Sequence, residues 1–196
     1  MSDINRRDLL RGIALSATTL GGFSLEAAQL VHGIAAAEKG SGAYKPKAFT
    51  PHEFRTLQKL ADFIVPADDR SPGAVEAGAP EFIDLLASQN PELSAIYTGG
   101  IAWLDRSMER LYGANFITAK PEQQTAMLDL IAYRKNEAPP LAPGIRFFDW
   151  ARRMVVDAYY TSPIGVKDVG YMGNMSVAKF EVPQEAIDYA LKRSPV

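Results

Sequence analysis

Thr50-Pro51-His52-Glu53-Phe54-Arg55-Thr56-Leu57-Gln58-Lys59-Leu60-Ala61-Asp62-Phe63-Ile64-Val65-Pro66 spells out one helix together with both of its ends. The Thr50 hydroxyl is placed to accept an orphan backbone N–H, Pro51 suits the first helical position, and Glu53 reaches back to the cap, which is the pattern of a capping box. Phe54, Leu57, Leu60, Ala61, Ile64 and Val65 then recur at helical spacing until Pro66 ends the run. A chain that opens its body this way is being read with a 3.6-residue period.

The same period continues downstream. After a polar, turn-rich loop over 67–78, residues 80–88 place Phe82, Ile83, Leu85 and Leu86 on and around one face. Pro91 opens a longer helix with Leu93, Ile96, Tyr97, Ile101, Leu104, Met108 and Leu111 on its stripe, closed by Gly113. Gly99-Gly100 inside it costs about 1 kcal/mol per glycine in propensity, so a kink or a close helix contact is expected there. Pro121 starts the next helix, with Met127, Leu128, Ile131 and Ala132 buried, and it ends before Asn136. Glu137-Ala138-Pro139-Pro140-Leu141-Ala142-Pro143-Gly144 reads as a loop. Ile145, Phe148, Ala151, Val155, Val156 and Tyr159 define another helix to about Tyr160. Periodicity fades over 161–180, and 183–192 closes the chain with Ala186, Ile187, Ala190 and Leu191 expected inward. With no alternating strand pattern and no internal repeat, the expected fold is an all-α single compact bundle of five to six helices with a long irregular C-terminal loop.

Upstream of Thr50 the composition changes. Arg6 and Arg7 stand in Asn5-Arg6-Arg7-Asp8-Leu9-Leu10-Arg11, ahead of an apolar stretch diluted by Ser, Thr and Gly over 12–25, and then Ala35-Ala36-Ala37. That is the layout of a twin-arginine export signal, with a cut after Ala37 satisfying the small-x-small rule and a weaker site over 25–28. The stretch is too short and too polar for the roughly 20 apolar residues of a permanent span. The expected organisation is therefore a signal over 1–37, a flexible mature N-terminus over 38–49, and a helical domain over 50–196. Retention of the uncut segment as a membrane tether is the alternative.

Export of cargo that is already folded is usually tied to a cofactor inserted in the cytoplasm, yet the inventory for one is bare. The chain has no cysteine and only two histidines, His32 and His52. Thiolate metal sites, iron–sulfur clusters, Cys-x-x-Cys-His haem attachment and imidazole-rich metal sites are excluded on those counts. No Gly-x-Gly-x-x-Gly or Walker loop is present. The net charge of −2 is unchanged by removing residues 1–37, because Arg6, Arg7 and Arg11 balance Asp3, Asp8 and Glu26. Bulk charge therefore argues against a nucleic acid or anionic membrane as partner. The cofactor that export implies is expected on a partner chain.

Asp68, Asp69 and Glu76 lack calcium-site spacing and read as a solvated loop. His52, inside a capping box, reads as exposed and inert. Trp103 and Trp150 read as core, Asp105 with Arg106 and Glu109 as a surface face, and Asp149 as a partner for Arg152 and Arg153. Ser162 with Asp157 or Asp168 lacks the histidine and the Gly-x-Ser-x-Gly elbow of a nucleophilic site, so stand-alone catalysis is not expected.

Tyr159-Tyr160-Thr161-Ser162-Pro163-Ile164-Gly165, followed by Gly170-Tyr171-Met172-Gly173-Asn174, resembles the C-terminal signature of the gluconate 2-dehydrogenase subunit 3 family. Further matches are Leu57, Leu60 and Ile64-Val65-Pro66 with Gly73-Ala74, then Ala77-Gly78-Ala79 before Phe82-Ile83, and Gly100 with Leu104-Asp105. The resemblance implies a non-catalytic small subunit of a periplasmic sugar or polyol dehydrogenase. It would supply the twin-arginine signal for a large flavoprotein of the glucose-methanol-choline class. It further implies FAD in that partner, haem c in a cytochrome c subunit of some complexes, and recognition of Arg6 and Arg7 by the twin-arginine translocase. The motif departs at Leu9, where phenylalanine is common, and at Arg11, where lysine is common; both keep the apolar or positive character. Aromatics and methionine favour interface cores, so Tyr159, Tyr160, Pro163, Ile164, Tyr171 and Met172 are the expected docking residues, with a lid over the chain's own core as the competing role.

Overall fold

The computed structural model describes residues 6–19, 24–40, 43–171 and 182–193. Among them the helices are α1 (Arg6–Thr19), α2 (Leu25–Gly40), α3 (Pro51–Ile64), α4 (Ala79–Ala87), α5 (Pro91–Tyr112), α6 (Pro121–Ile131), α7 (Ala142–Thr161), α8 (Pro163–Asp168) and α9 (Gln184–Arg193). A 3-10 turn at Arg134–Asn136 follows α6, and the described residues contain no strand. The all-α expectation holds, with more helices than five or six because α1 and α2 precede Thr50 and because α8 forms inside the segment expected to be irregular.

The capping box is present in full: Glu53 N donates to Thr50 Oγ1 at 3.3 Å and Thr50 N donates to Glu53 Oε2 at 2.8 Å. From there the chain is organised around α4. Every residue of α4 is buried, and it touches α1, α2, α3, α5 and α7. Such a helix has to be apolar all round, or its polar groups must find partners inside. Asp84 finds four: it accepts from the Tyr44 hydroxyl at 2.7 Å and from the backbone N–H groups of Lys47, Ala48 and Phe49 at 2.7, 3.0 and 3.2 Å. Residues 44–49, expected to be a flexible mature N-terminus, are therefore fastened to the central helix, with Phe49 buried. Burial, followed by the negative charge of Asp84, pushes the Tyr44 hydroxyl up and keeps it a donor.

The second organising element is α7, which packs against α2, α3, α4, α5, α6 and α8. It starts at Ala142, earlier than the proline-rich sequence suggests, because Pro143 falls in the first turn where a missing N–H costs nothing. Its crossing with α5 settles the expectation at Gly99-Gly100 in favour of a close contact. A Cβ on Gly100 would lie 2.1 Å from Phe147 Cδ2, and one on Gly144 would lie 2.1 Å from a Trp103 ring carbon. Each helix thus offers a glycine to the other's aromatic ring. Gly99, one residue away, has nothing within 4 Å. The two neighbours should consequently respond with opposite signs: Gly100→Ala is expected to destabilise by about 1–3 kcal/mol through overpacking, whereas Gly99→Ala should stabilise by up to ~1 kcal/mol through helix propensity. Urea unfolding of the two variants reads both signs, and a stable Gly100→Ala would show that the helices do not meet there.

Nothing in the folded chain breaks at Ala37. The alanine-rich sequence is a good helix former, and α2 continues through Ala37 to Gly40. Ala28, Val31, His32 and Ala35 are buried against the body, and α1 and α2 both pack on α4. The Asn90 side chain caps α5 with its oxygen, accepting from Glu92 N and Leu93 N, and donates its amide to the Ala14 carbonyl at 2.8 Å. At the other end, α9 corrects the expected inward set: Ala186, Ile187, Ala190 and Leu191 are all exposed.

Candidate functional site

Of the docking residues expected from the sequence, those among the described residues lie at and just beyond the carboxyl end of α7. Successive helical residues point about 100° apart, so adjacent tyrosines cannot share a face. Tyr159 turns inward and is only 2% exposed. Its hydroxyl donates to the Pro72 carbonyl at 3.1 Å and lies 2.7 Å from Ser71 Oγ, tying α7 to the loop before α4. Tyr159 is thus corrected from a docking residue to a core residue. Tyr160 faces solvent at 43% exposure, its ring edge-on to that of Tyr159 at 5.0 Å.

Beyond it the chain folds back as α8. The buried Ser162 accepts from Gly165 N at 3.0 Å through its hydroxyl, and Pro163 occupies the first turn, so Ser162 is a helix cap and not a nucleophile. Pro163 is exposed and Ile164 half-buried, with Val169 and Tyr171 exposed just beyond. Met172 lies outside the described residues. The structure therefore brings Tyr160, Pro163, Ile164 and Tyr171 to one end of the molecule as a partly apolar surface.

The other side of this end is formed by α2. His32, buried, lies with Nε2 3.2 Å from Thr161 Oγ1, and its ring sits 4.6 Å from that of Phe82. Burial lowers its pKa from the ordinary 6.5 to about 4, opposed in part by a hydrogen bond with the Ala158 backbone. The folded value lies below the unfolded one, so the contribution is complete above about 6.5 and is lost as pH falls towards 4. At ~1.4 kcal/mol per unit, the loss reaches at most ~3 kcal/mol. Unfolding of the full chain at pH 7 and pH 4.5 should show a steeper acid loss than in His32→Gln; equal losses would mean that the imidazole is not held neutral by packing.

Arg6 and Arg7 open α1, and Ala37 is an exposed residue in the last turns of α2. The remaining polar groups are structural. His52 is not inert: its Nε2 lies 2.6 Å from Asp105 Oδ2, and Asp105 Oδ1 accepts from Phe116 N at 3.0 Å. Asp105 thereby joins α3, α5 and the loop after α5, instead of lying idle on a surface face. Asp149 pairs with Arg152 and Arg153 as the spacing suggests, and also with Arg134. Asp68 accepts from the backbone N–H of Arg70 and of Ser71, which lowers its pKa and marks a turn. Trp103 and Trp150 are half-buried and flank the α5–α7 groove. Burial raises the pKa of Asp157 against the opposing charge of Arg153, and it raises that of the fully buried Tyr97 hydroxyl, which has no hydrogen-bond partner. Among the described residues no group of three or more His, Cys, Asp or Glu could hold a metal ion.

What the fold defines is a helical domain that exposes aromatic and apolar side chains at the junction of α7 and α8, among other places. The family model of gluconate 2-dehydrogenase subunit 3 matches residues 51–178, from α3 through α8 and beyond. The chain belongs to the gluconate 2-dehydrogenase subunit 3 family. Comparison with curated proteins and with solved structures gives no significant match.

Proposed function

We propose that this chain is the non-catalytic small subunit of a periplasmic, FAD-dependent sugar or polyol dehydrogenase. It supplies the twin-arginine signal and escorts the catalytic flavoprotein of the glucose-methanol-choline type. The observation that carries the reading is the family membership over 51–178. Two further features support it. Arg6 and Arg7 stand at the head of the N-terminal helix, ahead of a diluted apolar stretch. The exposed Tyr160 and Tyr171 offer the aromatic anchors that protein interfaces favour. In this reading FAD resides in the partner, electrons pass in some complexes to a cytochrome c subunit carrying haem c, and the assembly lies in the periplasm at the inner membrane.

The reading is tested by co-expressing the chain with the flavoprotein. Flavin absorbance and dehydrogenase turnover should follow the large subunit and be missing from this chain purified alone. Tyr160→Ala combined with Tyr171→Ala should abolish co-purification while leaving the small subunit's own unfolding transition in place. Undiminished co-purification would reject docking through this end.

A second reading concerns the segment up to Ala37 and is favoured by the packing of α1 and α2 on α4 and of α2 on α7. A cut after Ala37 would strip Ala28, Val31 and Ala35 from the core, and in this reading the segment stays with the folded chain. Among the described residues no helix is long and apolar enough to cross a membrane. The intact mass of the exported chain separates the readings: a first residue of Glu38 means removal, a full mass means retention.

A further inference from the structure

Between α2 and α8 lies a cleft of about 330 Å³, at the small end of the roughly 300–1,000 Å³ of ligand pockets. Its walls are largely apolar, supplied by Ala35, Ala77, Pro163 and Ile164, with the neutral His32 ring beside them. Three charged residues also line it, of which Lys39 and Glu76 are exposed and Glu81 is buried. Glu81, 4% exposed, reaches the cleft from the first turn of α4. Its Oε1 meets Lys39 Nζ at 3.5 Å, while its Oε2 has no hydrogen-bond partner. Oε2 is itself covered, and a Cβ on Gly78, which lines this cleft, would lie 3.9 Å from it.

A buried carboxylate oxygen without a donor is costly, and the half-exposed ammonium of Lys39 satisfies only the other oxygen. An ammonium is a point donor, whereas a guanidinium is a planar fork that takes both carboxylate oxygens at once. An arginine side chain also has an apolar stem suited to apolar walls. Glu76 at the rim gives the lining a second negative charge against the single positive charge of Lys39.

We infer that the cleft between α2 and α8 receives an arginine side chain of the flavoprotein partner, its guanidinium bridging both oxygens of Glu81 in place of Lys39. This rests on the docking reading above and names what that end of the molecule recognises. His32, Ala35 and neighbouring residues of one wall precede Glu38. The site is therefore whole only in the uncut chain.

The test uses the uncut, isotope-labelled chain alone, titrated by NMR with n-butylguanidinium, and with n-butylammonium and n-butanol as controls. Saturable shifts at the amides of Ala35, Ala77 and Ile164 are expected with n-butylguanidinium, at least several-fold tighter than with either control. Glu81→Gln should weaken binding tenfold or more, and Lys39→Ala should strengthen it, because the occupant no longer has a lysine to displace. The absence of saturable shifts, equal binding of n-butanol, or weaker binding in Lys39→Ala would overturn the assignment; the last arm decides even if Glu81→Gln fails to fold. Undiminished co-purification of Glu81→Gln with the flavoprotein would overturn it too. Because the titration needs no partner, its failure leaves the escort reading standing, and loss of the complex in Tyr160→Ala/Tyr171→Ala is a separate result.

Discussion

Asp84→Ala should cost this protein about 3–5 kcal/mol of stability, the range for breaking a buried charged network. The carboxylate is fully buried and is the shared acceptor for the Tyr44 hydroxyl and three consecutive backbone donors of residues 47–49. An alanine there leaves all four without their acceptor, and each unsatisfied buried group costs about 1–3 kcal/mol before relaxation. Relaxation is available, since residues 44–49 can lift away from α4 and return their donors to water. That escape exposes Phe49, loosens the start of α3, and so carries its own loss. Asp84→Asn, which keeps one carbonyl oxygen, should fall between wild type and alanine. Tyr44→Phe, which removes a single donor, should cost about 1 kcal/mol. Chemical unfolding followed by circular dichroism measures all three. A loss below about 1 kcal/mol for Asp84→Ala would show that the segment is not held by this carboxylate.

The importance of Asp84 was not legible in the sequence, and the reason is instructive. Within Phe82-Ile83-Asp84-Leu85-Leu86 a lone acid looks like the solvent face of an amphipathic helix. Only the burial of α4 on every side turns it into an internal anchor, and that burial depends on elements far away along the chain. The helices whose ends carry their own chemistry were readable from local pattern. The Thr50–Glu53 capping box is one case, whereas at Gly99-Gly100 the pattern left a kink and a close contact open and only the packing of Phe147 selects the contact. Ser162-Pro163 carried a similar signal for α8, a capping serine before a first-turn proline, but it was masked by the surrounding glycines and aromatics. The His52–Asp105 pair spans α3 and α5, so no local window contains it.

At the candidate site, sequence pattern misjudged one facing. Tyr159 and Tyr160 are equally aromatic, and the helical rotation that buries one and exposes the other depends on where α7 meets the loop at Pro72. Likewise the stripe of α9 was readable as amphipathic, but its exposure was not, because inward requires a neighbour and none covers it among the described residues. The packing of α1 and α2 was hidden for a related reason. Small residues such as Ala28 and Ala35 suit both an export signal and a close helix contact, and composition alone does not distinguish the two uses.

The central claim is that the export address sits on this chain while the chemistry sits on another. Replacing Arg6 and Arg7 together by lysine tests it most directly. Lysine keeps the positive charge but loses the planar, multi-donor guanidinium, so specific recognition fails while bulk electrostatics persist. Both residues lie outside 51–178, the residues the family model matches, so the body of the protein over 51–171 and its docking end should be unaffected. The flavoprotein, carrying its own wild-type sequence, is then followed by immunoblot and by dehydrogenase activity in separated periplasmic and cytoplasmic fractions. The account predicts that both chains remain in the cytoplasm, assembled and active. A flavoprotein that reaches the periplasm at its normal level beside the lysine variant would contradict it.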